Sequence, residues 1–134
     1  MQGSLARAAR AYKTTEVQSQ SPLEMVVLLY AGALRFMHAA VAALERGDLV
    51  AKREALSRAL AIVAHLQGTL DMNAGGEVAR SLDSLYDYVT SRLTDANVRK
   101  DPAPIREAMK VVSGLHEAWA AIAAPGGAAG GARP

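Results

Sequence analysis

Apolar residues recur at intervals of three and four in four stretches of this chain, and each stretch ends at a cluster of glycine, asparagine, aspartate or proline. Val26, Leu29, Tyr30, Ala33, Met37, Ala40, Val41 and Leu44 make the first stripe, and Leu49, Leu56, Ala59, Val63, Leu66 and Leu70 the second. The third is Val78, Leu82, Leu85, Tyr86, Val89, Leu93 and Ala96; the fourth is Ile105, Met109, Val112, Leu115, Trp119 and Ile122. Such spacing lines side chains along one side of an α-helix, whereas a half-buried strand would alternate. Hydrophobic residues make up 51% of the chain but aromatics only 4%, so the apolar volume is aliphatic and alanine-rich, which again favours helix over sheet.

The breaks give the boundaries. Ser21-Pro22-Leu23-Glu24 predicts a helix start, with Ser21 as cap, Pro22 at the first position and Glu24 completing a capping box. Gly47 in Arg46-Gly47-Asp48 suits a left-handed helix stop and Asp48 an N-cap, so the tripeptide reads as a tight interhelical turn rather than an adhesion signal. The second helix then runs from about Leu49 to Met72, Asn73-Ala74-Gly75-Gly76 breaks the chain, and the third runs from about Glu77 to Val98. Asp101-Pro102 opens the fourth. Short connections make neighbouring helices antiparallel. The expected fold is therefore all-α: an antiparallel up-down-up-down four-helix bundle over residues 21–124, with a short N-terminal arm over 1–20 and a disordered Gly/Ala tail over 125–134. With 134 residues, one domain is expected. Leu5, Ala9 and Tyr12 fall at helical spacing, so the arm could dock on the bundle.

Several function classes lack the residues they need. There is no cysteine, hence no disulfide and no thiolate chemistry. No Glu-x-x-His occurs, His38, His65 and His116 fall on different helices, and no phosphate-cradling glycine loop is present. No enzyme activity, cofactor or metal is expected. The net charge is +2, from 15 basic and 13 acidic residues scattered in both signs, and Arg7, Arg10 and Lys13 form the one sustained basic run, so nucleic acid is not an expected partner. No uninterrupted apolar run approaches the roughly 18 residues of a spanning helix, and residues 1–20 lack the apolar centre of a secretory signal. No membrane insertion and a cytoplasmic location are expected.

What remains is an apolar surplus. Leu23, Met25, Val27, Leu28, Leu34 and Phe36 on the first helix, Val50, Leu60 and Ile62 on the second, and Tyr88, Val98 and Val111 further on exceed the single stripe per helix that a small bundle consumes. Together they predict a groove for an amphipathic or partly folded segment of a partner. From this set Leu23, Leu28, Leu34, Leu60, Ile62, Tyr88, Val98 and Val111, with Leu66 from the second stripe, are the expected partner-binding residues.

Tyr12-Lys13-Thr14-Thr15-Glu16-Val17, Ser21-Pro22-Leu23-Glu24, the run Leu29 to Phe36, Leu70-Asp71 and the run Leu85 to Asn97 resemble, in order and spacing, the flagellar secretion chaperone family. The likeness covers about Tyr12 to Ile122. It implies a chaperone for the C-terminal segment of flagellin, which the family keeps from premature polymerisation and delivers to the flagellar export gate. It further implies that the arm lies over part of the client site and moves away on binding, with Tyr12 as the plug. Ala31 stands where the family often has an acidic residue, so no carboxylate contact is carried over to that position. Periodicity makes Tyr86 a core residue and leaves Tyr88 free for a partner. The alternative is a bundle whose apolar seam forms a weak homodimer or engages another secretion adaptor.

Overall fold

A computed structural model of the chain describes residues 7–12 and 22–124. They are helical almost throughout: a helical turn over residues 7–10 precedes α1 (Pro22–Glu45), α2 (Leu49–Gly68), α3 (Met72–Val98) and α4 (Ala103–Ala123). Among the described residues there is no strand, only one antiparallel bridge between Tyr12 and Leu70. α1 packs on α2 and α4, and α3 packs on α2 and α4.

The stripes supply the core. Val26, Tyr30, Ala33, Met37 and Ala40 of α1 are buried together with Leu56, Ala59, Val63 and Leu66 of α2, Leu82, Tyr86, Val89, Leu93 and Ala96 of α3, and Ile105, Val112 and Trp119 of α4. Leu29, Val41, Leu85, Met109, Leu115 and Ile122, also on the stripes, are half-buried at their edges. Ala55, Ala79 and Ala108 are buried as well, and their short side chains let helix backbones approach closely.

The connections follow from local chemistry. Gly47 takes φ +78°, its N–H and that of Asp48 donate to Leu44 O and Ala43 O, and the Asp48 carboxylate accepts the Ala51 N–H at 3.0 Å. Asp101 accepts the Ala103 N–H at 3.0 Å at the start of α4. Two boundaries differ from the sequence expectation. α2 stops at Gly68 rather than Met72, because Leu70 turns aside to bridge Tyr12 and Asp71 caps a new turn through the Ala74 N–H at 2.9 Å. Residues 72–75 are themselves helical, and the break falls at Gly76 alone, whose φ of +53° only glycine adopts without strain. The expected Ser21 cap and the 125–134 tail lie outside the described residues.

α1 also modifies an expectation. Counted over a window that tolerates an occasional charge, rather than as an uninterrupted run, its mean hydropathy reaches 1.7, and by length and composition alone it could cross a membrane. Here 33% of that window is buried against the rest of the chain.

Candidate functional site

The aromatic residues are not spread through the core. Three of the four tyrosines and the single tryptophan of the sequence meet where the arm crosses the helices. The Tyr12 ring stands edge-on to Trp119, with centroids 5.6 Å apart, and Tyr30 lies 6.4 Å from Trp119 and 6.5 Å from Tyr86. The Tyr86 hydroxyl is hydrogen-bonded to the hydroxyls of both Tyr12 and Tyr30. A buried hydroxyl needs a partner, and each of these finds one in another tyrosine. Burial is the main reason that all three phenols are pushed above their ordinary pKa of 10.0.

The arm's backbone is held as well. The Asp71 N–H donates to Ala11 O at 2.9 Å, and Ala11 lies so close to Gly75 that a Cβ built on that glycine would come within 2.8 Å of the Ala11 Cα. Ala8, Ala11 and Tyr12 are buried, whereas Ala9 is exposed, so the docked face of the arm is one residue removed from the Ala9 face that its spacing implied.

On either side of this turn lies an apolar hollow. One, about 50 Å³, is lined by Tyr12, Met25, Val26, Leu29, His65 and Leu66. The other is an open groove of about 300 Å³ between the arm, α3 and α4, lined by Ala8, Val78, Leu82, Leu115, Trp119 and Ile122, with Arg7 as its one cation. The arm thus forms a wall of both.

The residues singled out from sequence fall into three groups. Tyr12, Leu23 and Leu66 are buried in this state, at 5%, 8% and 1% exposure. Leu34, Leu60, Ile62 and Val111 are half-buried against the core, with the Ile62 Cδ1 resting at Gly32 of α1. Leu28, Tyr88 and Val98 are exposed. The structure brings Tyr12 and Leu66 to one hollow, and it does not bring the ten together into one channel. The α3 and α4 residues of the larger groove belong to the stripes that periodicity assigns to the core. Val78, Leu115 and Ile122 are stripe residues at the margins of their helices, and the periodicity that assigns them to the stripe does not say that the neighbouring helix stands off.

His38 and His65 are exposed and His116 half-buried, and no three His, Asp or Glu side chains among the described residues are placed to hold a metal ion.

The chain is similar to known proteins over nearly all of its length. The family described as flagellar protein FliS matches residues 5–126. The flagellar secretion chaperone FliS of Salmonella typhimurium is 43% identical over 79% of this chain and 79% of its own length. That of Vibrio cholerae is 36% identical over 89% of this chain and 88% of its own, and that of Bacillus subtilis 34% identical over 81% and 80%. These are chaperones rather than enzymes. By the family match and by these relatives, this chain belongs to the FliS family of flagellar secretion chaperones.

Proposed function

We propose that the chain is a cytoplasmic chaperone for the disordered C-terminal segment of flagellin, which it keeps from premature polymerisation and delivers to the gate of the flagellar type III export apparatus. The observation that carries the reading is the arm. Its helical turn separates two apolar hollows, and it is held by contacts at Tyr12 and Ala11 that a competing chain could replace. An apolar hollow roofed by the protein's own segment is a natural receptor for an amphipathic guest.

In this reading residues 1–20 act as a lid on an up-down-up-down bundle over 21–124, and the 125–134 tail has no part in the site. Two links support the alternating helix directions. The ion pair of Glu45 with Arg106 joins the end of α1 to the start of α4, and Lys52 on the carbonyls of Ala96 and Asn97 joins the start of α2 to the end of α3. The client path uses Leu28, Leu34, Leu60 and Ile62 on α1 and α2 and Tyr88 and Val111 on α3 and α4. Tyr12, Leu23 and Leu66 become available as the lid lifts. Val98, the tenth residue of the sequence reading, lies apart from this path.

Calorimetric titration of the purified chain with a peptide of the flagellin C-terminal segment is expected to give a stoichiometric complex and a gain in helicity. Absence of heat at high micromolar concentrations removes the proposal. Sedimentation in the same buffer reads the homodimer alternative, which a tight dimer excluding the peptide would favour.

A further inference from the structure

The place where Tyr12 sits has a surplus of hydrogen-bond donors. Tyr86 and Tyr30 are hydrogen-bonded to each other, and the Tyr86 hydroxyl makes a second bond, to Tyr12. Each hydroxyl carries a single proton. With Tyr12 withdrawn, Tyr30 and Tyr86 bring two protons to the one bond that they share, and the Trp119 indole N–H, which acts on the Tyr30 hydroxyl, can only donate. One hydroxyl proton is then left without an acceptor among these side chains.

The surroundings decide what can take that proton. Tyr30, Tyr86 and Trp119 are all buried, and the rings of Tyr30 and Trp119 lie 6.4 Å apart. An aliphatic guest side chain would seal the proton off unmet. An ammonium or guanidinium brings only further donors, and a carboxylate would accept but would carry its charge in among buried rings. An uncharged oxygen meets the need, and Tyr12 is the example on hand: its hydroxyl bonds to Tyr86 while its ring stands edge-on to Trp119. Ala8, about one helical turn before it, faces the larger groove with a side chain far smaller than that space of about 300 Å³ admits.

We propose that this seat selects its guest by hydrogen bonding. The segment that takes the arm's place carries an apolar side chain for the larger groove and, one helical turn away, an uncharged side chain that sets a hydroxyl or amide oxygen on the hydroxyls of Tyr30 and Tyr86. The proposal rests on the reading of the arm as a lid. It makes Tyr30 and Tyr86 specificity-determining residues as well as core residues, because a guest that lacks the oxygen pays for covering their spare proton.

The test uses the full chain with Tyr12→Ala, which empties the seat, and dye-labelled helical peptides followed by fluorescence anisotropy. The peptides share a leucine and differ one turn later, where they carry tyrosine, phenylalanine or lysine. The tyrosine peptide is expected to bind about tenfold or more tightly than either of the others. Its advantage over the phenylalanine peptide should vanish when Tyr30→Phe and Tyr86→Phe are added together, since removing both hydroxyls leaves no proton unmet. If Tyr12→Ala loses its helical circular dichroism signal, Tyr12→Phe, which keeps the ring and lacks only the hydroxyl, takes its place as host. Equal binding of the tyrosine and phenylalanine peptides, the result if a water meets the spare proton, overturns the inference. So does an advantage that survives the loss of both hydroxyls, or no binding by any of the three up to its solubility. The flagellin peptide, run on the same hosts, separates this inference from the function proposed above. Flagellin binding that is equal with and without the two hydroxyls overturns the inference alone, whereas discrimination among the designed peptides with no flagellin binding keeps the inference and removes the flagellin reading.

Discussion

Tyr86 helps to seat the arm, because its hydroxyl bridges those of Tyr12 and Tyr30. In Tyr86→Phe the ring remains but the Tyr12 and Tyr30 hydroxyls lose their shared partner inside the protein. The expected loss is about 1–3 kcal/mol of stability, read from the urea midpoint. The same residues set an alkaline limit. All three phenols titrate higher in the folded chain than their ordinary 10.0, so above that pH the folded state holds protons that the unfolded state has released. Their contribution is complete below pH 10 and declines as pH rises beyond it. Lys52 acts in the opposite sense. Burial first, then Arg53 and Lys100, lower its pKa from 10.5, so its contribution increases as pH climbs towards that value. One amine against three phenols leaves a net decline above pH 10, and Tyr86→Phe should flatten it in urea titrations across that range. Tyr86 as a core residue was legible from its spacing. The meeting of its hydroxyl with Tyr12 was not, since these residues stand 74 positions apart and nothing local encodes the pairing.

The start of α3 shows how a contact distant in sequence redraws a boundary. Two adjacent glycines predicted a break, and the structure divides their roles: Gly76 supplies the positive φ, while Gly75 supplies room for the arm. A Cβ at position 75 would meet Ala79 Cβ at 2.6 Å and Ala11 Cα at 2.8 Å. Lifting the arm relieves the Ala11 contact, whereas the Ala79 contact is relieved only by a shift of the 72–76 turn against the rest of α3, so both the arm and that turn are expected to loosen. Gly75→Ala is expected to cost about 1–3 kcal/mol as overpacking and to raise hydrogen exchange at Ala11 and Tyr12, leaving the middle of α1 protected. Uniform acceleration along every helix would show instead that the arm and the helices open together. The four long helices were readable because each carries its own period. The end of α2 was not, because Leu70 leaves the helix to meet a residue outside its own segment.

For the whole molecule, the four stripes are complete without the residues before Ser21, while the arm's own spacing allows it to dock on them. In the structure Ala8, Ala11 and Tyr12 are part of the hydrophobic core. Removing residues 1–20 should keep the helical circular dichroism signal but lower Tm by on the order of 5–10 °C, the scale of losing one buried aromatic side chain and its neighbours. If the arm also competes with the client, the truncated chain should bind the flagellin peptide more tightly despite being less stable. A fall in both quantities would make the arm part of the client's seat rather than its cover. The apolar surplus in the sequence did signal a protein-binding molecule. It could not apportion that surplus, because whether a half-buried leucine backs onto its own helix or faces a groove depends on helix separations that no single stripe encodes.

The edge-on stacking of Tyr12 against Trp119 has a practical corollary. With no other indole in the sequence, indole emission comes from one site, and that site touches the arm. Undocking would admit water to the indole and redden its glow, so the unlabelled protein carries its own optical gauge of whether the arm is down or up.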